Sequence, residues 1–258
     1  MEIVNRSIRN PITEPIVLIG GFGSHWKHYR QFARVLANVA GRRVFIAAIT
    51  RSTWLLGSLT GYWLLVHRAH RAVQHALETT GAQKVILVGH SAGGVIARGY
   101  LADRLAGNHH PAYGGHRRVA RFIALGSPLR GVEHPRHRGL RQAAWLDRAF
   151  PGAYYAPQVQ YLTVCGRRVE GKRIGLPEQR IAYRSYEFIC GDGAQWGDGV
   201  VPDSVCRLEG APHLQLEGVG HSPAWGRWYG SDEETVRLWW HYFDVGDAPA
   251  YEMGRMVV

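Results

Sequence analysis

Hydrophobic residues in this chain fall into short continuous runs, separated by longer segments in which they recur every three or four positions. Short β-branched runs bounded by Gly or Pro predict buried parallel strands, and the three-to-four recurrence predicts helices packed on them. The strand runs are Pro15–Ile19, Arg43–Ile49, Val85–Val88, Val119–Leu125, Gln160–Cys165 and His213–Leu216, with Tyr186–Cys190 as a further short strand or buried segment. Helical spacing covers Ser24–Ala40 (Tyr29, Phe32, Val35, Leu36), Tyr62–Thr80 (Val66, Ala69, Val73, Ala76), Val95–Leu105 and Asp232–Phe243 (Val236, Trp239, Trp240, Phe243). Gly41 and Gly81 stop the first two helices, and Ser231 or Asp232 caps the last. Thr50–Thr60 reads as a loop or short helical piece. Strand and helix alternate, which predicts an α/β fold: a mostly parallel central sheet with helices on both faces.

The remaining segments are polar or basic. Gly107–Arg118 is a glycine-rich loop, and Gly166 to about Arg184 reads as a basic surface loop. Arg130–Pro157 carries no strand, but Leu140, Ala144, Trp145 and Phe150 would share one face of a short helix. Its position after the Phe122–Leu125 strand suits a small cap at about 130–157. Its Arg136, Arg138, Arg141 and Arg148 read as solvated, with anionic head groups as the alternative. The tail from Gly246 to Val258 reads as loosely attached.

Composition narrows the class. The 258 residues are 46% hydrophobic, enough for one core, and are read as a single domain over 1–258. No apolar run is long enough to span a bilayer, and the first residues lack the layout of a secretory signal, so a cytoplasmic location is expected. Cys165, Cys190 and Cys206 cannot all pair and read as free thiols. Neither His109–His110 nor His134/His137, which flank Pro135, has the companions of a metal site, so no metal is assigned. The formal charge of +11 favours anionic partners, an acidic membrane surface among them, or else a merely solvated basic surface. No nucleic-acid-binding motif accompanies it, so nucleic acid is not expected.

The chemistry is concentrated at Gly89-His90-Ser91-Ala92-Gly93-Gly94, where an apolar run ends and a helix begins. A strand entering a helix through Gly-x-Ser-x-Gly leaves the serine at the apex of a strained turn, its hydroxyl exposed. The Ala92 N–H, at the helix N-terminus, would face a developing anion. Gly20-Gly21-Phe22-Gly23, after the first strand, lacks the spacing of a phosphate loop and suits a second oxyanion donor, the Phe22 N–H. A serine hydroxyl needs a base, and the base needs an orienting carboxylate. His221 follows the last strand and precedes the last helix, whereas His213 sits at that strand's start. For the acid, Asp198 in Asp-Gly-Val-Val-Pro is preferred, with Asp192 and Asp203 as alternatives.

Gly89–Gly94, Gly197–Pro202 and Gly220-His221-Ser222 together resemble the α/β-hydrolase superfamily. More narrowly they resemble its lipase-like branch, which includes bacterial triacylglycerol lipases and GPI inositol-deacylase-like serine esterases. Gly20–Gly23 and Leu125-Gly126-Ser127-Pro128 match its oxyanion and post-strand positions, so the resemblance runs from about Pro15 to Phe243. One departure is Gly20-Gly21, where many lipases carry His-Gly. The resemblance implies a carboxylic ester hydrolase, a lipase or lipid acyl hydrolase, acting through Ser91, His221 and Asp198 without metal or cofactor. A soluble small-ester or thioester hydrolase is the alternative, and a hydrolase-fold protein that binds without turnover is a third reading. Phe22, Trp26, Trp54, Trp145 and Trp225 would suit an acyl chain or an ordinary core equally well.

Overall fold

A computed structural model describes residues 14–60, 62–105, 112–131 and 138–243. The first strand, β1 (Ile16–Ile19), is four fully buried aliphatic residues whose side chains alternate between the two faces of a sheet. After a short 3-10 turn come α1 (Arg30–Ala40), β2 (Val44–Ile46), α2 (Arg51–Thr60), α3 (Trp63–Thr80) and β3 (Val85–His90). The chain continues through α4 (Ala92–Leu101), β4 (Val119–Leu125), α5 (Arg138–Ala149) and β5 (Gln160–Arg167). It ends with β6 (Val169–Glu170), α6 (Pro177–Cys190), β7 (Trp196–Gly197), β8 (His213–Glu217) and α7 (Glu233–Trp240).

Six strands form one parallel sheet in the order β2-β1-β3-β4-β5-β8, and β6 pairs with β7 antiparallel beside it. Ile16, Leu18, Ile86 and Val88 pack with Phe32, Leu36 and Trp239 under α1 and α7. Val17, Ile19 and Leu87 pack with Val66, Val73, Ile96 and Leu146 under α3, α4 and α5. Each fully buried Val, Leu or Ile contributes about 1.5–3 kcal/mol, so this double-sided burial is what fixes the strand register. The chain leaves β1 towards β2 and returns on the other side to β3. That reversal puts a topological switch point between β1 and β3, and clefts at the carboxyl ends of strands form there.

The helix ends follow from local chemistry. Gly41 (φ 62°) and Gly81 (φ 72°) close α1 and α3 in left-handed conformations, and the Asp232 side chain accepts from the Thr235 N–H to open α7. Arg98, buried on α4, donates to the carbonyls of Leu129 (2.8 Å) and Phe150 (2.7 Å) and pairs with Asp147 (3.3 Å). It pins α5 to α4, so the described part of the expected cap segment joins the layer covering the sheet.

Several expectations change. The stretch read as a surface loop, followed by a strand or buried segment at Tyr186–Cys190, holds the end of β5, then β6 and the helix α6. Alternation in Tyr186-Glu187-Phe188-Ile189-Cys190 imitates a strand, but Ala182, Tyr186 and Ile189 are a helical stripe, and they are the buried ones. Thr50–Thr60 is mostly helix, β2 is shorter than its run, and α4 begins directly after Ser91. His109–His110, His134, Arg136, His137 and the tail lie outside the described residues. Among the described residues no helix is long and apolar enough to cross a membrane.

Candidate active site

The turn from β3 into α4 leaves no room for side chains. A β-carbon on Gly93 would overlap the Ile19 carbonyl of β1, and one on Gly94 would overlap the Ser127 hydroxyl beyond β4. Ser91, at the apex, has φ 56° and ψ −131°, the one positive φ among the described non-glycine residues. Backbone strain of this kind costs on the order of 1–3 kcal/mol and persists only where the surroundings enforce it. Here the Ser91 N–H is held by the Leu125 carbonyl at 2.9 Å, and its own carbonyl accepts from Gly94 at 3.0 Å.

Three loops at the same sheet end converge on that serine. His221 Nε2 lies 3.0 Å from Ser91 Oγ, and His221 Nδ1 lies 2.7 Å from Asp198 Oδ2. Asp198 is wholly buried; its Oδ1 accepts from the N–H groups of Val200 (3.0 Å) and Val201 (2.8 Å), and Oδ2 also accepts from the Tyr229 hydroxyl (2.8 Å). The two loops are further joined by the His221 N–H donating to the Asp198 carbonyl at 2.8 Å. A carboxylate so held can only accept, so Nδ1 of His221 carries the hydrogen and Nε2 faces the serine as acceptor.

The other candidates are occupied elsewhere. Asp192 is exposed and caps its own turn through the Ala194 N–H at 2.9 Å. Asp203 accepts from His213 Nε2 (2.8 Å) and from Arg207 at 3.0 and 2.6 Å. Burial pushes the Asp203 carboxyl up, but those bonds outweigh it and hold the group below the ordinary range. His213 also meets the Thr163 hydroxyl, at 2.8 Å, so neither reaches Ser91.

The glycine turn after β1 abuts Ser91: a β-carbon on Gly21 would sit 2.8 Å from that of Ser91. Among the described residues the Phe22 N–H has no main-chain acceptor, and the Ala92 N–H, in the first turn of α4, has none within its helix. The Phe22 side chain is 67% exposed and stands edge-on to Trp54, 5.4 Å between centroids. Trp225 covers Gly199 and Gly220 beside Asp198 and His221, whereas Trp145 packs against Phe150 in the α5 layer.

A buried hydrogen-bond chain connects these parts, and its members escape a search of the sequence for catalytic groups. The Gly21 N–H donates to Tyr29 Oη (2.7 Å), Tyr29 Oη meets His90 Nδ1 (2.7 Å), and His90 Nε2 meets the His221 carbonyl (2.9 Å). A carbonyl can only accept, so His90 carries its hydrogen on Nε2 and takes the Tyr29 hydrogen on Nδ1. Burial, and then repulsion from His221, lowers the His90 pKa to about 3, so the ring is neutral near pH 7. Tyr229 plays a matching part: it donates to Asp198 while accepting from the Gly166 N–H at 2.8 Å. The only visible signal for His90 is its place inside the Gly-x-Ser-x-Gly motif.

With this geometry in hand, a model of the palmitoyl protein thioesterase family matches residues 15–166, more than half of the chain. The chain belongs to that family. It is a serine hydrolase of the ester and thioester class, and the family match takes in Ser91 and the glycine turn but stops short of Asp198 and His221. Among solved structures, the mature form of the lipase BlEst2 from Bacillus licheniformis aligns with a TM-score of 0.60 at 17% identity, over 89% of this chain and 92% of that one. Its propeptide form aligns with a TM-score of 0.61 at 17% identity, over 95% of this chain and 53% of the longer one. At such identity the likeness establishes the α/β-hydrolase fold. No curated protein matches by sequence.

Proposed function

We propose that the chain hydrolyses acyl esters or acyl thioesters bearing a long apolar acyl group, with Ser91, His221 and Asp198 as the catalytic triad. The observation that carries this reading is the unbroken line from Ser91 Oγ through the His221 ring to the buried Asp198 carboxylate, at 3.0 and 2.7 Å. His221 Nε2 takes the Ser91 proton as Oγ bonds to the acyl carbon, and the carbonyl electrons move onto oxygen. The Phe22 and Ala92 N–H groups receive that oxyanion, the first from the glycine turn and the second with the positive end of α4 behind it. Asp198 orients His221 and stabilises its imidazolium. Collapse breaks the carbon–oxygen or carbon–sulfur bond, and His221 gives its proton to the leaving alcohol or thiol. Water, deprotonated by His221, then attacks the acyl-serine and releases the acid and Ser91.

An apolar acyl chain is supported by the exposed rim beside the glycine turn, where Phe22, Leu55 and Leu59 present large apolar side chains to solvent. The family supports a thioester; the lipase-like motifs support an oxygen ester. Contact with an anionic membrane belongs to the same reading and is supported by the +11 charge. The test is turnover of p-nitrophenyl esters from acetate to palmitate beside palmitoyl-coenzyme A, for wild type, Ser91→Ala and His221→Ala. Long-chain turnover and phosphonate labelling, both lost in Ser91→Ala, are the expected result. Turnover confined to short esters would overturn the substrate reading. No turnover and no labelling would leave a binding protein on a hydrolase fold.

A further inference from the structure

We propose that the turn before α6 and the outer face of α6, residues 172–188, dock the protein onto an anionic phospholipid bilayer. The inner face of α6 is committed: Tyr186 Oη donates to the Val169 carbonyl (3.1 Å) and accepts from the Gly199 N–H (2.8 Å), while Ala182 and Ile189 are buried. The outer face carries a different composition from an ordinary solvated helix. Ile174 is 91% exposed, Leu176 62%, Ile181 57% and Phe188 55%; these are four of the eleven large apolar side chains exposed among the described residues.

The same segment carries a basic hollow. Arg173, Arg180 and Arg184 line one concavity of about 380 Å³ with Tyr183 and Glu187, three basic side chains against a single carboxylate. None of the three forms an ion pair with a carboxylate among the described residues. Convergent like charges are favourable when an anion lies between them, and guanidinium groups bind phosphate oxygens in pairs. Apolar side chains flanking such a hollow are the composition of a surface whose phosphate layer lies directly over hydrocarbon. An acidic protein would complement the arginines but would leave Ile174, Leu176 and Ile181 without an apolar counterpart.

The placement also connects with the site. Tyr186, on the inner face, anchors α6 on Gly199, the residue next to Asp198, so the helix proposed to meet the bilayer is hydrogen-bonded to the loop that carries Asp198. The proposal deepens the reading of the chain as a hydrolase of long-chain acyl groups, and its test is independent of catalysis.

The experiment is co-sedimentation of the full chain carrying Ser91→Ala with vesicles of phosphatidylcholine alone or mixed with phosphatidylserine. Expected are strong partitioning to the mixed vesicles, little to the neutral ones, and release between about 0.1 and 0.5 M salt. Arg173→Gln/Arg180→Gln/Arg184→Gln should weaken partitioning about 100-fold, from roughly fivefold per arginine. Ile174→Ser/Leu176→Ser/Ile181→Ser should weaken it while leaving the salt dependence in place. Both triple variants, with Ser91 restored, should keep wild-type turnover of a dispersed short-chain ester, which shows that they fold. Equal binding to neutral vesicles, wild-type binding by the arginine variant, or full displacement by millimolar inorganic phosphate would overturn the proposal. Absence of turnover by the wild-type protein, with its docking to mixed vesicles intact, would instead count against the catalytic reading alone.

Discussion

Replacing Tyr29 by Phe removes one oxygen and cuts the buried chain from the glycine turn to His221. The Gly21 N–H loses its acceptor and His90 Nδ1 loses its donor, and both are enclosed. A buried polar group left unpaired costs about 1–3 kcal/mol, so the two together should remove about 2–6 kcal/mol of stability. At about 2–4 °C per kcal/mol for a chain of this size, that lowers Tm by roughly 4–24 °C. Catalysis should suffer separately. Removing an oxyanion donor outright costs about 10²–10³ in kcat, and here the turn bearing the proposed donor, the Phe22 N–H, is loosened rather than lost, so a fall of about 10–100-fold is expected. KM should change little, because Tyr29 is 6% exposed and stands behind the turn rather than on the acyl side. His90→Gln breaks the same chain, so the double variant should be no worse than the more damaged single one. Steady-state kinetics and thermal melts of the three variants measure this. A Tyr29→Phe protein with wild-type kcat and a Tm within about 2 °C would refute the bracing role.

Two further outcomes follow from the same site. Asp198→Asn should keep the hydrogen bond from Val201 but favour the wrong His221 tautomer, lowering kcat by about 10⁴-fold with a folded far-UV spectrum; a loss under tenfold would exclude Asp198 as the orienting acid. The second concerns pH: His90 has a folded pKa of about 3 against an ordinary value near 6.5, so the unfolded chain takes up this proton first. Its contribution is complete above about pH 6.5 and declines by up to about 1.4 kcal/mol per pH unit as pH falls towards 3. Urea midpoints from pH 7 to 4 should therefore slope less steeply in His90→Gln than in wild type, and parallel slopes would contradict a buried neutral ring.

What could be read from the sequence is what chemistry ties to the ends of elements. Ser91 was legible because an apolar run, three small residues and a helical run admit few turns, and His221 because it stands between the last strand and the last helix. Asp198 was separated from Asp192 and Asp203 by its turn alone, and the structure uses all three, for different partners. The helix in the segment between β5 and Asp198 is hidden in the sequence for a physical reason. Arg and Gly dominate the segment's first half, and the exposed Ile181 and Phe188 blur the stripe made by Ala182, Tyr186 and Ile189.

The residues that hold the site together were illegible for another reason. Nucleophilic attack demands a serine, a base and an acid, so residue type carries information. A buried N–H demands only some acceptor, and Tyr29 serves Gly21 across eight residues and His90 across 61. Such pairings follow from the strand order. Because β1 and β3 are neighbours, the turn after one and the elbow after the other share a wall, and α1 brings Tyr29 to it from the layer behind. His221 is then held from two sides, its N–H on the Asp198 carbonyl and its own carbonyl on His90. Errors in either contact would move the imidazole relative to Ser91, so the precision of the 3.0 Å approach resides in groups that never touch the substrate.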